Sequence, residues 1–280
     1  MSFRQTRHHA AAPVFFLIMI VLGLHGCSSD EAAAPRSAEV LFESAMQKFQ
    51  DEDYQEAYEE FRLVTLQYQG STLADDAQFH MGECKFRRGE YILAAYEYEV
   101  LMQTMPTSEF VPNARFHRAM CFYEMSPKSY LDQENSRKAI DEFQAFLEYH
   151  PTDARVPEAE AKISELNAKL AQKEFENGVI YMKMEYYRAA VVSFDFVLEK
   201  YHDTEYAEPA LLRKGEALLL RKRFPEAVQV LQVFLEKYPS SPLRAEAEGL
   251  VREAAEKDKE NARTIRAKAA ADSARSSTSR

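Results

Sequence analysis

The chain has 280 residues, a formal net charge of −10, eight glycines and three cysteines. An acidic chain repels phosphate backbones, which argues against nucleic acid as a partner, and three cysteines are too few for a disulfide scaffold. Few glycines, abundant Ala, Glu and Leu, and no alternating Val/Ile runs favour helices over sheets. The composition therefore predicts an all-α protein with a sizeable core.

The first 26 residues predict an export signal. Arg4 and Arg7 precede an unbroken apolar run from Val14 to Leu24. A bilayer-spanning helix needs about 20 residues, so this run is too short to cross a membrane. Its length suits the hydrophobic region of a secretory signal peptide. We therefore expect residues 1–26 to be a signal peptide.

The end of the apolar run predicts a lipid anchor. It closes with Leu24-His25-Gly26-Cys27, which resembles the bacterial lipobox, whose cysteine becomes the lipidated first residue of the mature protein. We expect lipidation at Cys27 and a lipid-anchored linker over residues 27–36. The alternative is an ordinary signal peptide in which Cys27 is incidental.

A recurring corner divides the rest of the chain. A Ser, Thr or Asp followed six positions later by alanine occurs five times, as Ser71/Ala77, Ser108/Ala114, Asp153/Ala159, Thr204/Ala210 and Ser241/Ala247. A large residue stands three positions before each of them, and in three cases proline follows that residue. Proline stops a helix, and Ser, Thr and Asp cap the next one. The pattern predicts five helix–corner–helix junctions.

Each unit also carries two small residues and one large one. The first small residues are Ala45, Gly82, Ala119, Gly178 and Gly215; the second are Ala57, Ala94, Ala139, Ala190 and Ala227; the large residues are Phe61, Tyr98, Phe143, Phe194 and Leu231. Small residues on two antiparallel helices allow close approach of their backbones. This pattern resembles the tetratricopeptide (TPR) repeat. It predicts an all-α TPR solenoid of five helix-pair repeats.

The spacing of the second alanines locates two insertions. The intervals are 37, 45, 51 and 37 residues, against about 34 for a standard TPR unit. The extra residues of the 45-residue interval fall around the polar stretch 126–135, which predicts a loop. Those of the 51-residue interval fall within 157–175, which predicts a lengthened helix before the fourth repeat. We expect repeats 1–3 over 37–156, repeats 4–5 over 157–250, and a helix with a disordered tail over 251–280.

The lipobox, the five repeats and the two insertions together resemble the BamD family, lipoproteins of the machinery that inserts β-barrels into the bacterial outer membrane. Local matches are residues 51–54 (DEDY), 141–143 (DEF), 201–204 (YHDT) and 238–241 (YPSS). The resemblance implies a lipid-anchored scaffold on the periplasmic face of the outer membrane. It implies that the C-terminal repeats dock on the barrel-forming subunit, and that the N-terminal repeats receive the C-terminal signal of unfolded outer-membrane protein clients.

The first helix of each pair lines the concave side of such a solenoid, which suits an extended peptide or a partner helix. The residues expected on that side in repeats 1–3 are Phe42, Met46, Phe49, Phe79, Phe86, Phe116, Met120 and Tyr123, with Arg87 at the rim. An aromatic groove beside a cation suits a segment that ends in an aromatic residue and a free carboxylate. The alternative is that these residues fill the core between helices.

Repeat 4 carries a second cluster whose role the pattern leaves open. Tyr181, Met184, Tyr186 and Tyr187 form either a docking surface or core. Docking contacts in the resembled family depend on charged residues, but Ser193 stands where one is expected here. We therefore assign no charge pair.

No catalytic motif is found, so no enzyme and no cofactor are expected. The chain lacks a dinucleotide or P-loop fingerprint and a Gly-x-Ser-x-Gly elbow. His80/Cys84 and His117/Cys121 share the spacing i, i+4 at equivalent repeat positions. Two histidines and two cysteines could ligate zinc, but equivalent positions on stacked helices lie about 8–10 Å apart. We expect packing thiols and no metal.

Two other functions remain open from the sequence. One is a different TPR lipoprotein, such as a pilus or secretin assembly factor, which does not share the lengthened helix. The other is a lipid-anchored nutrient-binding protein, against which the absence of tryptophan argues.

Overall fold

The computed structural model describes residues 36–278, and this part of the chain forms eleven α-helices and no strand. Their bounds are α1 Ala38–Gln50, α2 Tyr54–Gln67, α3 Ala74–Arg87, α4 Tyr91–Thr104, α5 Val111–Glu124, α6 Glu134–Tyr149, α7 Val156–Lys183, α8 Tyr187–Lys200, α9 Ala207–Leu220, α10 Phe224–Lys237 and α11 Arg244–Thr278. Cys27 and the expected signal peptide lie outside the described residues.

The helices pack in chain order, each against the next. Short connections make neighbours antiparallel, so α1/α2, α3/α4, α5/α6, α7/α8 and α9/α10 form five hairpins. The first helices of neighbouring hairpins also touch, α3 with α5 and α7 with α9. The odd-numbered helices therefore form one layer and the even-numbered helices the other. The predicted all-α solenoid of five helix pairs is confirmed.

The small residues lie where a large side chain crosses from the partner helix. A Cβ built on Gly82 would lie 2.4 Å from the Tyr98 ring, and one on Gly178 would lie 2.5 Å from the Phe194 ring. These distances are below any real Cβ contact. The small residue is therefore required for the two backbones to approach as closely as they do.

The turn inside a hairpin uses one residue in the left-handed region. Glu52, Gly89, Glu185 and Lys222 have φ between 61° and 73° and occupy equivalent positions in four repeats. The following amide donates to the carbonyl five residues back, as in Glu90 N–H to Lys85 O at 2.9 Å. This is a Schellman-type helix end, and it turns the chain directly into the second helix.

The helices begin two residues later than the predicted capping residues indicate. Helix α3 begins at Ala74, whereas the hydroxyl of Ser71 accepts a hydrogen bond from Leu73 N–H at 3.2 Å. The carbonyl of Ser71 accepts from Ala74 N–H, also at 3.2 Å. The serine therefore closes a separate turn before the helix and does not occupy the N-cap position.

The loop of repeat 3 is organised by one buried amide. Gln133 is fully buried, and its amide nitrogen donates to the carbonyls of Lys128, Ser129 and Leu131 at 2.8, 3.3 and 3.0 Å. Its amide oxygen accepts from Ser136 at 2.7 Å. The loop therefore has a fixed shape, although its sequence is polar.

The two insertions meet each other. Helix α7 has 28 residues, twice the length of α8, and its middle section passes the repeat-3 loop. Lys169 Nζ donates to Ser126 Oγ at 2.8 Å, and Lys173 Nζ donates to Leu131 O at 2.6 Å. The lengthened helix thus packs against both α6 of repeat 3 and α8 of repeat 4, and it donates hydrogen bonds to the inserted loop.

Helix α11 closes the stack. Ala247 and Ala254 are fully buried against the preceding hairpin, whereas residues 259–271 are exposed. Helix α11 runs to Thr278, and the disordered end of the chain stays a prediction. The Ala, Lys and Arg content of this segment favours helix.

Candidate functional site

The predicted groove residues of repeats 1–3 lie in the odd-numbered layer, and most are packed. Phe79 and Phe116 are buried. The remaining hydrophobic residues of the set are half-buried and pack against core clusters; they are Phe42, Met46, Phe49, Phe86, Met120 and Tyr123. Arg87 is exposed. The hydrophobic members of the set therefore pack in the core, and the half-buried ones keep one edge toward solvent. Their role as a groove stays a prediction.

These rings surround two histidines. The ring of His80 lies 5.3–6.2 Å, centroid to centroid, from Phe42, Phe49, Phe61 and Phe79. We call this group the first histidine cluster. It joins helices α1, α2 and α3, so it lies at the junction of repeats 1 and 2.

The second histidine cluster repeats the arrangement one unit later. The ring of His117 lies 5.7–6.1 Å from Phe79, Phe86, Tyr98 and Phe116. Phe79 belongs to both clusters and links them. The aromatic edge of this layer is therefore continuous across three repeats.

Each histidine faces a carboxylate. His80 Nδ1 lies 2.8 Å from Asp76 Oδ1, and His117 Nδ1 lies 2.8 Å from Glu83 Oε1. Burial alone would lower the pKa of His80, but its hydrogen bonds to Asp76 outweigh burial and raise it. Burial alone would raise the pKa of Glu83, but its contacts with His117 and Tyr98 outweigh burial and lower it. The charged forms of His80 and of Glu83 are thus both favoured within this aromatic layer.

The two cysteines are packing residues in separate core clusters. Cys84 packs with the repeat-1 core and Cys121 with the repeat-2 core. Both are free thiols, and burial raises the pKa of Cys84 to about 12 and also raises the pKa of Cys121. Over residues 36–278, no group of three or more His, Cys, Asp or Glu residues is arranged to hold a metal ion. The histidines that share their helices instead contact carboxylates and aromatic rings.

The cluster in repeat 4 lies on the surface. Tyr181 is 37% exposed, Met184 53% and Tyr186 57%, while Tyr187 is half-buried. Tyr181 and Met184 come at the end of α7, and Tyr186 and Tyr187 at the start of α8. The choice between core and surface that the sequence left open is therefore resolved in favour of surface for three of the four residues.

An open cavity of about 660 Å³ lies among these residues. Its apolar walls are formed by Tyr181, Tyr186, Tyr187, Ala189 and Val192. Its polar residues are Ser193, Glu185, Arg188 and Arg221. We call this lining together with Met184 the repeat-4 surface. The sequence analysis did not include the two arginines. Arg188 directly follows Tyr187, so its position in the sequence could have indicated it, whereas Arg221 comes just after α9 and only the packing of repeats brings it here.

The described residues include no helix that is both long and apolar enough to cross a membrane. What the structure presents is a helical-repeat scaffold of the TPR class with exposed apolar surfaces. Residues 209–241 match the tetratricopeptide repeat family. Residues 35–222 match the YfiO family, described as an outer membrane lipoprotein. This chain belongs to that family of outer membrane lipoproteins.

Three curated relatives carry the name outer membrane protein assembly factor BamD. The protein from Rickettsia prowazekii is 25% identical over 84% of this chain and 95% of its own length. The Caulobacter vibrioides protein is 24% identical over 72% of this chain and 68% of its own length. The Xylella fastidiosa protein (strain 9a5c) is 21% identical over 76% of each chain. Among solved structures, the TPR2AB domain of yeast Sti1 aligns with 82% of this chain and 94% of its own at 16% identity, with a TM-score of 0.40.

Proposed function

We propose that this chain is a non-enzymatic outer-membrane protein assembly factor, a scaffold that couples client recognition to insertion of β-barrel proteins. The observation that carries the proposal is the match of 35–222 to the outer membrane lipoprotein family. The relatives named BamD support it, since the alignment with the Rickettsia prowazekii protein covers nearly all of that protein.

The scaffold is held on the periplasmic face of the outer membrane by acyl chains on Cys27. Each buried CH₂ of an acyl chain contributes about 0.8 kcal/mol, so two or three chains anchor a protein stably. The anchor is followed by only eight residues before Arg36, where the described chain begins. Mass spectrometry of the mature N-terminal peptide tests the anchor: acylated Cys27 supports it, and an unmodified or absent Cys27 contradicts it.

The N-terminal repeats receive the unfolded client. The half-buried rings of the two histidine clusters form an edge along the odd-numbered layer, with Arg87 exposed beside them. An extended segment that ends in an aromatic residue and a carboxylate fits such an edge, because the ring extends the aromatic contacts and the carboxylate faces the guanidinium.

The repeat-4 surface docks the barrel-forming subunit. Its apolar floor and its exposed tyrosines have the composition of interface cores, in which aromatic residues and arginine are enriched. Arg188 and Arg221 outnumber the single carboxylate, Glu185. The complementary surface is therefore an apolar element that carries at least one carboxylate.

Affinity purification of tagged full-length protein from gently solubilised outer membranes tests the function. We expect stoichiometric recovery of a large β-barrel protein with periplasmic repeats. Tyr186→Ala combined with Val192→Asp abolishes that recovery, whereas Gln229→Asp, at the position in repeat 5 that matches Val192, leaves it intact. Recovery of pilus or secretin components without the barrel protein contradicts the proposal.

A further inference from the structure

The outer side of α4 carries an exposed apolar patch that the functions above do not use. Ile92 is 72% exposed, Leu93 50% and Tyr96 61%. Ile92 and Tyr96 are one helical turn apart on the same face, and Leu93 lies beside them. We call these three residues the repeat-2 patch. They lie in the even-numbered layer, away from the histidine clusters.

The repeat fold does not require apolar residues at these positions. The residues equivalent to Ile92 are Gln55 in repeat 1, Arg137 in repeat 3 and Pro225 in repeat 5; those equivalent to Tyr96 are Glu59, Asp141 and Gln229. All six are exposed. At the position of Tyr96, only repeat 4 is also apolar, with Val192, and there the residue lines the repeat-4 surface. An exposed apolar patch that the architecture does not demand marks an interaction site.

The helix next to the patch is strongly acidic. Tyr58 of α2 donates a hydrogen bond to Glu97 of α4 at 2.8 Å, which places the two helices side by side. Residues 51–60 hold six carboxylates and no Lys or Arg. Glu60 is buried and paired with Arg36 and Lys48. The other five carboxylates are exposed; they are Asp51, Glu52, Asp53, Glu56 and Glu59.

The cations near the patch neutralise only one of these five exposed carboxylates. Arg62 lies 3.7 Å from Glu59, and Lys85 and Arg88 are paired with Glu90 at 2.9 and 2.7 Å. Four exposed carboxylates of α2 and the preceding turn are left without a cationic partner in these contacts. The surface that borders the patch is therefore negative.

We propose that the repeat-2 patch binds a basic amphipathic segment of a partner protein. The apolar side chains of that segment cover Ile92, Leu93 and Tyr96, and its Lys or Arg residues face the carboxylates at the start of α2. Charge complementarity of this kind raises the association rate and selects the partner. An anionic phospholipid surface is repelled by the same carboxylates. A second copy of this chain would have to bind through the basic end of α11. That segment has one large apolar residue, Ile265, which is too little to cover the three residues of the patch.

Photo-crosslinking in the native cells tests the proposal. Tyr96 is replaced by benzoylphenylalanine in the full-length chain, and the same residue is placed at Asp141 and at Gln229 as matched exposed positions. We expect an adduct at position 96 that maps, by mass spectrometry, to a protein segment with net positive charge and apolar residues. The yield is expected to exceed that at the two control positions about tenfold, as for a specific contact.

A charge reversal completes the test. Glu56→Lys with Glu59→Lys reduces the adduct at position 96 about tenfold, whereas Glu199→Lys with Glu236→Lys, the same charge change on α8 and α10, does not. Both variants still recover the barrel protein, which separates this surface from the repeat-4 surface. Any of four results overturns the proposal. The adducts at 96 and 141 are equal, or the adduct at 96 is to lipid or to a second copy of the chain. Alternatively, the crosslinked segment has no net positive charge, or the adduct at 96 is insensitive to Glu56→Lys/Glu59→Lys.

Discussion

The backbone of Gly82 lies against the ring of Tyr98, so closely that a Cβ on Gly82 would be 2.4 Å from the Cε1 atom. Tyr98 is fully buried, and its hydroxyl donates to Glu83. The ring is therefore held from both ends and cannot move aside. This contact sets the distance between α3 and α4.

Gly82→Ala is expected to destabilise the protein by about 1–3 kcal/mol, the usual cost of overpacking a core. Chemical denaturation of the full-length chain measures the change. Gly70→Ala is the matched control, because no atom lies within 4 Å of a Cβ at that position. Equal stability of the two variants would show that the hairpin tolerates a wider separation than the structure indicates.

Gln133→Ala is expected to loosen the repeat-3 loop. The substitution removes the amide donor from three carbonyls, of which only that of Ser129 has no other donor among the described residues. An unsatisfied buried polar group costs about 1–3 kcal/mol. Hydrogen exchange over 126–133 should accelerate, while exchange in α9 and α10 stays unchanged. Gln144→Ala, an exposed position on α6, is the control. Unchanged protection of the loop in Gln133→Ala would contradict the role assigned to this amide.

The pairing of His80 with Asp76 predicts a pH-dependent stability. The pKa of His80 is raised in the folded state, so the contribution of the pair is full below the unfolded pKa of about 6.5. It is lost as the pH rises through the higher folded pKa. Asp76→Asn should therefore reduce the free energy of unfolding more in mildly acidic than in alkaline buffer.

The control for this titration is Asp203→Asn, at an exposed carboxylate beside the exposed His202. The change in unfolding free energy that it causes is the reference for the change in Asp76→Asn at each pH. An NMR titration of His80 reports the pKa directly, and a pKa at or below 6.5 would refute the assigned pairing.

Cys84 and Cys121 are expected to be inert in the folded protein. Both are buried with a raised thiol pKa, and the thiolate is the reactive form. In a Cys27→Ser background neither thiol should react with a thiol-specific disulfide reagent until the chain is denatured, when both react. Zinc that survives washing with a chelator and is lost in Cys84→Ser would contradict their assignment as packing residues.

Much of the architecture follows from the sequence, because one geometric requirement recurs. Gly82 and Tyr98, like Gly178 and Phe194, are a small and a large residue that helix pairing forces into contact. The same constraint recurs at Gly215 and Leu231. The insertions were also readable, since a polar stretch and a breaker-free Ala/Glu/Lys stretch have different local preferences.

The candidate sites were less readable, because they depend on contacts between units. The sequence places His80 and His117 at i, i+4 from cysteines, but the rings that surround each histidine come from three helices. The bonds from Lys169 and Lys173 to the repeat-3 loop span more than forty residues. Apolar residues at helical spacing also look alike whether core or exposed, so only packing shows that Tyr186 is exposed.

The proposed function requires that outer-membrane β-barrels need this chain for their assembly. Controlled depletion in its own organism, followed by quantification of folded, heat-modifiable barrel proteins, measures this. The account predicts that folded barrels fall and that unfolded precursors accumulate, with recovery by the wild-type chain but not by Tyr186→Ala/Val192→Asp. Unchanged levels of folded barrel proteins in fully depleted cells would contradict it.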